Sequence, residues 1–196
     1  MTISALATYL VAAMTTWVPP KSHPEGASIA TERYRSIATD IATLAMDENE
    51  KPVFAGDNGR VQTALLMAAI ASYESGYRAD VDEGRVRGDH GRSWCIMQVH
   101  VVGTTHEGFR GADLVNRSNC LASALHLMQE SFTICRGQKV EDRLSLYTVG
   151  ACKEERKAEW RTLRAVRWFH AHAPPPDAAT PEFRTESELN ALSWLD

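Results

Sequence analysis

Glu74 is the residue whose setting in this chain first suggests chemistry. It follows the run LLMAAIASY, residues 65–73, and apolar residues nearly all round a helix predict that this helix is buried in the core. Apolar surroundings raise the pKa of a carboxyl, which can then carry a proton at neutral pH and act as a general acid on a glycosidic oxygen. A lone Glu at a helix end is more often a solvated group. Whether Glu74 is catalytic must therefore be judged from the residues that follow it.

Three further motifs follow the Glu74-Ser75-Gly76-Tyr77 segment. They are Gly88-Asp89-His90-Gly91, Cys95-Ile96-Met97-Gln98 and Leu146-Tyr147-Thr148-Val149-Gly150. In this order they resemble goose-type lysozymes and the related soluble lytic transglycosylases, whose pattern is a catalytic Glu in an E-S motif, then G-L-M-Q, then A-Y-N-A-G. The resemblance covers about residues 60–170 and is closest to the goose-type branch, where a G-D-x-G motif precedes the M-Q-V motif.

The resemblance implies a muramidase that cleaves the glycan strand of peptidoglycan between MurNAc and GlcNAc. It implies that Glu74 is the catalytic acid and that Asp89 is a candidate for placing the attacking water. The residues expected to bind the glycan are Gln98, Tyr147, Ser93, Met97 and His100. Ser93 also precedes Trp94, and an aromatic edge beside a polar donor suits the mixed faces of a sugar.

Three departures from the family pattern bear on the mechanism. His100 stands where goose-type enzymes often have a second acidic residue, Cys95 replaces a small Gly, and Thr148 replaces an Asn. Without that second carboxylate, inverting hydrolysis depends on Asp89 alone as the base. In the transglycosylase route the substrate's own hydroxyl attacks the anomeric carbon, and Glu74 acts first as acid and then as base. Both routes stay open, and the presence of Asp89 favours hydrolysis.

A different class of function is also open. The chain could be a non-catalytic lysozyme-like structural or wall-binding component of a virion, which the departures at positions 95, 100 and 148 would permit. The presence of Glu74 favours the enzyme. No nucleic-acid partner is expected, because 21 Lys and Arg against 25 Asp and Glu leave no strong positive field. No cofactor is expected, and no metal site either, because no third ligand at a usual spacing accompanies His100 and His106.

The four cysteines at positions 95, 120, 135 and 152 permit three pairings if two bridges form, and four buried thiols are the alternative. Cys120 and Cys135 are predicted near opposite ends of one helix, about 22 Å apart at ~1.5 Å per residue. A direct bridge between these two is therefore excluded if the helix is continuous.

The predicted fold is mainly α, an α+β lysozyme-like helical bundle around a central buried helix, with a small irregular β and loop region lining a substrate groove. Low Gly content and apolar residues three and four apart predict six or seven helices. Helices are expected at about 3–17, 28–46 and 60–75, then from about 119, with a short helix at LSLYTVG and a long basic one after it. The second helix would bury Ile29, Tyr34, Ile37, Ile41 and Leu44. The basic one would turn Trp160, Leu163, Val166 and Trp168 partly inward.

Three regions are expected: a helical subregion at 1–59, the catalytic domain at 60–173, and a Pro-rich connector and tail at 174–196. The apolar residues 1–18 lack the Lys or Arg of a secretion signal and are too short to span a membrane, so a core helix is expected. Action in the periplasm or cell wall would then require delivery within a virion or release by a holin. A partner protein could dock on the tail through Leu189, Leu192, Trp194 and Leu195.

Overall fold

The chain is mainly helical, as expected. The computed structural model describes residues 1–174, so the predicted tail beyond Pro174 lies outside the described residues. Its helices are α1 Ile3–Trp17, α2 Ala27–Met46, α3 Gly59–Glu74, α4 Ala79–Asp82, α5 Arg117–Ile134, α6 Ser145–Val149 and α7 Arg156–Ala171. Four short 3-10 turns, Pro20–Ser22, Asp89–Gly91, Gly111–Val115 and Val140–Asp142, lie between them. No helix in this described part is long and apolar enough to cross a membrane.

Helix α3 forms the centre of the core. Its residues from Val61 to Ser72 are all buried, and α1, α2 and α7 pack around it. The helix entrance is tightly built, because a Cβ at Gly59 would collide with the Phe54 carbonyl. The Thr63 hydroxyl donates to the Gly59 carbonyl and accepts from the Val53 amide, which holds the preceding loop against the helix.

The predicted buried faces are correct except at two large side chains. On α2, Tyr34, Ile37 and Ile41 are fully buried, but Ile29 is 60% exposed in the first turn. On α7, Val166 and Trp168 are buried, whereas Trp160 is 49% exposed. The buried stripe of α7 runs through positions 158, 161, 162, 165, 166 and 169, and position 160 points away from it.

The only strands in residues 1–174 form a two-stranded antiparallel hairpin, which confirms the expected small sheet. Strand β1, Ser93–Trp94, pairs with β2, Val99–His100, so that Ser93 faces His100 in the register. The turn between them has positive φ at Cys95 (61°) and Gln98 (49°), a region that favours glycine. A residue in this region costs of order 1–3 kcal/mol and persists only where its surroundings fix it.

Two disulfides fix this part of the molecule. Cys95 bridges Cys120 and thereby ties the hairpin turn to α5, and Cys135 bridges Cys152 across α6. The exclusion of a Cys120–Cys135 bridge is confirmed, because α5 separates the two residues. The Cys95 that replaces a Gly in the resembled pattern is the residue that the first bridge holds at positive φ.

We expect the Cys135–Cys152 bridge to stabilise the segment that carries Tyr147. Its sequence separation of 17 residues predicts a stabilisation of about 3 kcal/mol from loop entropy in the unfolded chain. The double variant Cys135→Ala/Cys152→Ala should therefore lose about that much free energy of unfolding in urea denaturation monitored by circular dichroism. An unchanged midpoint and slope would contradict the bridge.

Candidate functional site

Glu74 is the last residue of α3, at the point where the chain leaves the core. Its side chain is 20% exposed, whereas the preceding turns of the helix are buried. The chain turns back sharply after it: the buried Tyr77 donates its hydroxyl to the Ala68 carbonyl on α3, and Tyr77 itself has φ of 57°. The buried helix and this turn together place one carboxyl at the edge of the core.

Arg161 on α7 fixes the orientation of that carboxyl. Its Nε and Nη2 atoms donate to Oε1 of Glu74 at 3.0 and 2.5 Å, and the Arg161 side chain is only 8% exposed. Arg161 also donates to the Lys157 carbonyl and lies 5.3 Å from the ring centre of Tyr73. Both bonds to Glu74 end on Oε1, so Arg161 does not use the second carboxyl oxygen.

Sequence reasoning missed Arg161, because only apolar residues of the predicted basic helix were expected to face inward. The helical spacing could have revealed that Arg161 is buried, because position 161 lies between Ala158 and Ala165 on the buried stripe. An Arg on a buried stripe requires an acidic partner, and Glu74 is that partner.

Tyr147 on α6 joins two of the sequence motifs in space. Its hydroxyl donates to the Met97 carbonyl at 2.6 Å. Burial raises the pKa of Tyr147 well above its ordinary value, the negative charge of nearby Glu74 raises it further, and Arg161 opposes this. Tyr147 therefore lies within electrostatic reach of Glu74 and remains a neutral phenol. The Met97 side chain is fully buried, so its backbone is the part that faces Tyr147.

Asp89 belongs to a second polar group, on the hairpin side. Its carboxylate accepts a 2.5 Å hydrogen bond from Ser93, and Nδ1 of His100 lies 3.6 Å away. The Ser93 hydrogen bond lowers the pKa of Asp89, slight burial opposes it, and His100 lowers it further. Asp89 is therefore a carboxylate at neutral pH, and its side chain is 70% exposed.

Gln98 connects the hairpin turn with the Gly88 turn. Its Nε2 donates to the Cys95 carbonyl at 3.0 Å, and its Oε1 lies so close to Gly88 that a Cβ there would collide with it. The first Gly of the G-D-x-G motif therefore packs directly against the Gln of the M-Q motif, and a larger residue there would require the Gln98 side chain to move. Its half-buried amide thus supports the loops, a role that sequence reasoning did not assign.

The structure thus assembles the predicted residues into two groups. One joins Glu74, Tyr147 and Met97 with the added Arg161, and the other joins Asp89, Ser93 and His100. Neither of two surface cavities, of about 460 and 940 Å³, is lined by Glu74, although the smaller one is lined by the adjacent Tyr73. The expected groove beside Glu74 therefore stays a prediction.

A set of side chains of metal-ligand type lies apart from both groups. Ligand atoms of His106, Glu107 and His126 all lie within 4.8 Å of one another. Sequence spacing did not reveal the set, because His126 is on α5 and the other two residues are in the loop before it. The expectation that no metal binds is therefore open to test.

Arg161→Met should destabilise the protein, since it leaves the partly buried Glu74 carboxylate without its hydrogen-bond donors. Hydrogen bonds to charged groups contribute about 1.5–3 kcal/mol, and we expect a loss in that range in urea denaturation. Arg167→Met on the exposed side of the same helix is the matched control, expected within about 0.5 kcal/mol of wild type. Equal losses of unfolding free energy in the two variants would show that the Glu74–Arg161 ion pair does not specifically stabilise the fold.

Comparison of the chain with protein-family models, with curated proteins and with solved structures found no match in any of the three.

Proposed function

We propose that this protein is a peptidoglycan-cleaving muramidase of lysozyme-like fold, with Glu74 as its general acid. The observation that carries the proposal is the placement of Glu74: a single carboxyl, one-fifth exposed, at the end of a helix that is buried from Val61 to Ser72, with its charge within electrostatic reach of Tyr147. The Tyr147 hydroxyl donates to the Met97 carbonyl, and this hydrogen bond joins two of the motifs on which the family resemblance depends. The substrate is the glycan strand, cleaved between MurNAc and GlcNAc.

The geometry of the ion pair supports different roles for the two oxygens of the Glu74 carboxyl. Oε1 accepts both hydrogen bonds from Arg161. In the proposed acid step the proton resides on Oε2 and passes to the leaving glycosidic oxygen, while Oε1 remains hydrogen-bonded. Arg161 is then a positioning residue, and it also stabilises the carboxylate that forms when the proton leaves.

Two completions of the reaction follow from the residues. In hydrolysis, Asp89 removes a proton from a water that attacks the anomeric carbon, and the product has a reducing end. In transglycosylation, the 6-hydroxyl of the same sugar attacks, Glu74 takes back the proton, and the product has a 1,6-anhydro end. Asp89 is ionised, as a base must be before it accepts a proton, but the Ser93 hydrogen bond that lowers its pKa also makes it a weaker base.

The expected binding residues contribute unequally in this proposal. His100 is exposed and can present polar atoms to a sugar, whereas the Gln98 amide donates to the Cys95 carbonyl and supports the loops around the site. The Ser93 hydroxyl donates to Asp89 and the Met97 side chain is buried, so these two residues support the site without contacting the sugar through their side chains. Tyr147 retains a phenol oxygen that can accept a hydrogen bond.

The two disulfides support a place of action outside the reducing cytosol, since such bridges persist in the periplasm and outside the cell. This suits a wall-directed enzyme that reaches its substrate in a virion or through a holin. The docking of a virion partner on the tail remains part of the proposal.

The second candidate function is the non-catalytic wall-binding or virion component. The Glu74–Arg161 ion pair favours it, because a carboxylate that only fastened α3 to α7 would be held in the same way. The two candidates differ in whether Glu74 is needed for glycan cleavage or only for stability.

Glu74→Gln should abolish cleavage while the fold is retained, because the amide oxygen can still accept from Arg161 but has no proton to give. We expect muropeptide release from purified peptidoglycan, measured by mass spectrometry, to fall by about 10²–10⁴-fold. Glu154→Gln, at an exposed Glu outside the site, should release as much as wild type. If the wild type binds the wall but releases nothing, the non-catalytic candidate replaces the enzyme.

Asp89→Asn separates the two routes. Hydrolysis predicts reducing ends from the wild type and a strong loss in the variant, because an amide cannot accept the proton of the water. Transglycosylation predicts 1,6-anhydro ends and little loss. Reducing ends from a fully active Asp89→Asn variant would exclude Asp89 as the base.

A further inference from the structure

His106, Glu107 and His126 form a compact cluster that the proposed reaction does not use. Nδ1 of His126 contacts Oε1 of Glu107, and Nδ1 of His106 lies 3.9 Å from the same oxygen. The two imidazole rings lie 6.1 Å apart between centres and meet edge to face. Three nitrogen and oxygen atoms thus converge on one small volume.

The surroundings hold one carboxylate in place within this cluster. Glu107 is only 14% exposed and accepts a 2.6 Å hydrogen bond from the Ser123 hydroxyl, in addition to its contact with His126. Burial raises its pKa, but the hydrogen bonds from Ser123 and His126 outweigh this and lower the pKa to about 2. The cluster therefore contains a fixed negative charge next to two imidazoles.

A fourth residue completes the arrangement from another segment. Oε2 of Glu50, in the loop between α2 and α3, lies 3.4 Å from Nε2 of His126. His126 thus has one ring nitrogen in the cluster and the other directed at a carboxylate. Imidazoles that ligate metals commonly donate the second ring N–H to a carboxylate in this way, which fixes the tautomer and the ring orientation.

We propose that His106, Glu107 and His126 bind a divalent transition-metal ion of the zinc type, with Glu50 as the residue that orients His126. Two imidazoles and one carboxylate are ligands that zinc accepts in tetrahedral sites, with water in the fourth position. Ligand distances of about 2.0–2.2 Å place ligand atoms about 3.3 Å apart in such a site. The three ligand atoms lie within 4.8 Å of one another, and the 89% exposed side chain of His106 has room to rotate toward an ion bound by the other two.

The bound ion has a structural consequence. It links the loop that carries His106 and Glu107 to α5, and through Glu50 it also restrains the loop that leads into α3. Because the metal binds the folded chain and a preformed set does not exist in the unfolded one, binding raises the melting temperature.

The test is a zinc titration of the full-length, EDTA-stripped protein by isothermal titration calorimetry, without reductant so that both disulfides persist. We expect one zinc ion per chain, confirmed by elemental analysis after dialysis, and a higher melting temperature with zinc. His106→Gln alters an exposed side chain, so we expect it to fold normally but to bind zinc at least about 10–100-fold more weakly than wild type. We expect Glu50→Gln to bind zinc about 10–100-fold more weakly.

His170→Gln is the matched control, because His170 is an exposed histidine on α7 outside the cluster, and zinc affinity should not change. A wild type without saturable zinc binding would overturn the proposal. So would a His106→Gln variant that binds zinc as tightly as wild type, and so would a His170→Gln variant that loses binding. All of these readouts are independent of glycan cleavage.

Discussion

The burial of α3 from Val61 to Ser72 is the constraint on which the rest of this structure depends. A helix segment that is apolar on every side must be covered on every side, and α1, α2 and α7 supply that cover. The cover ends after Ser72, so Tyr73 is 37% exposed and Glu74, the last residue of the helix, is 20% exposed. Burial of this segment therefore places the carboxyl of Glu74 at the edge of the core.

The β1–β2 hairpin depends on a different constraint, the cost of left-handed backbone at residues other than glycine. Cys95 and Gln98 both have positive φ, and each is restrained by its side chain. Cys95 is bridged to Cys120 on α5, and Gln98 donates to the Cys95 carbonyl while it packs against Gly88. The turn that presents the Met97 carbonyl to Tyr147 is thus held by covalent and polar contacts in place of intrinsic backbone preference.

The helices could be predicted from the sequence because their signal is local. The bounds of α1 and α3 and the faces of Tyr34 and Ile41 follow from apolar periodicity, which the neighbouring elements reinforce. Trp160 was predicted to face partly inward, but it lies off the buried stripe of α7 and is 49% exposed. The partners of Glu74 and His126 could not be predicted, because tertiary packing brings them together from distant parts of the sequence. Arg161 lies 87 positions after Glu74 (161 − 74), and Glu50 lies 76 positions before His126 (126 − 50).

The ion pair between Glu74 and Arg161 contributes both to the stability of the fold and to the proposed chemistry, and in both it acts through Oε1 of Glu74. In the proposed acid step Oε2 carries the proton. Arg161 contacts only Oε1, so transfer of that proton breaks neither of its hydrogen bonds. In the proposed enzyme, Arg161 therefore keeps the carboxyl in one orientation before and after the transfer, and its positive charge stabilises the carboxylate that forms. The contact that holds the end of α3 against α7 is thus also the contact that positions the proposed acid.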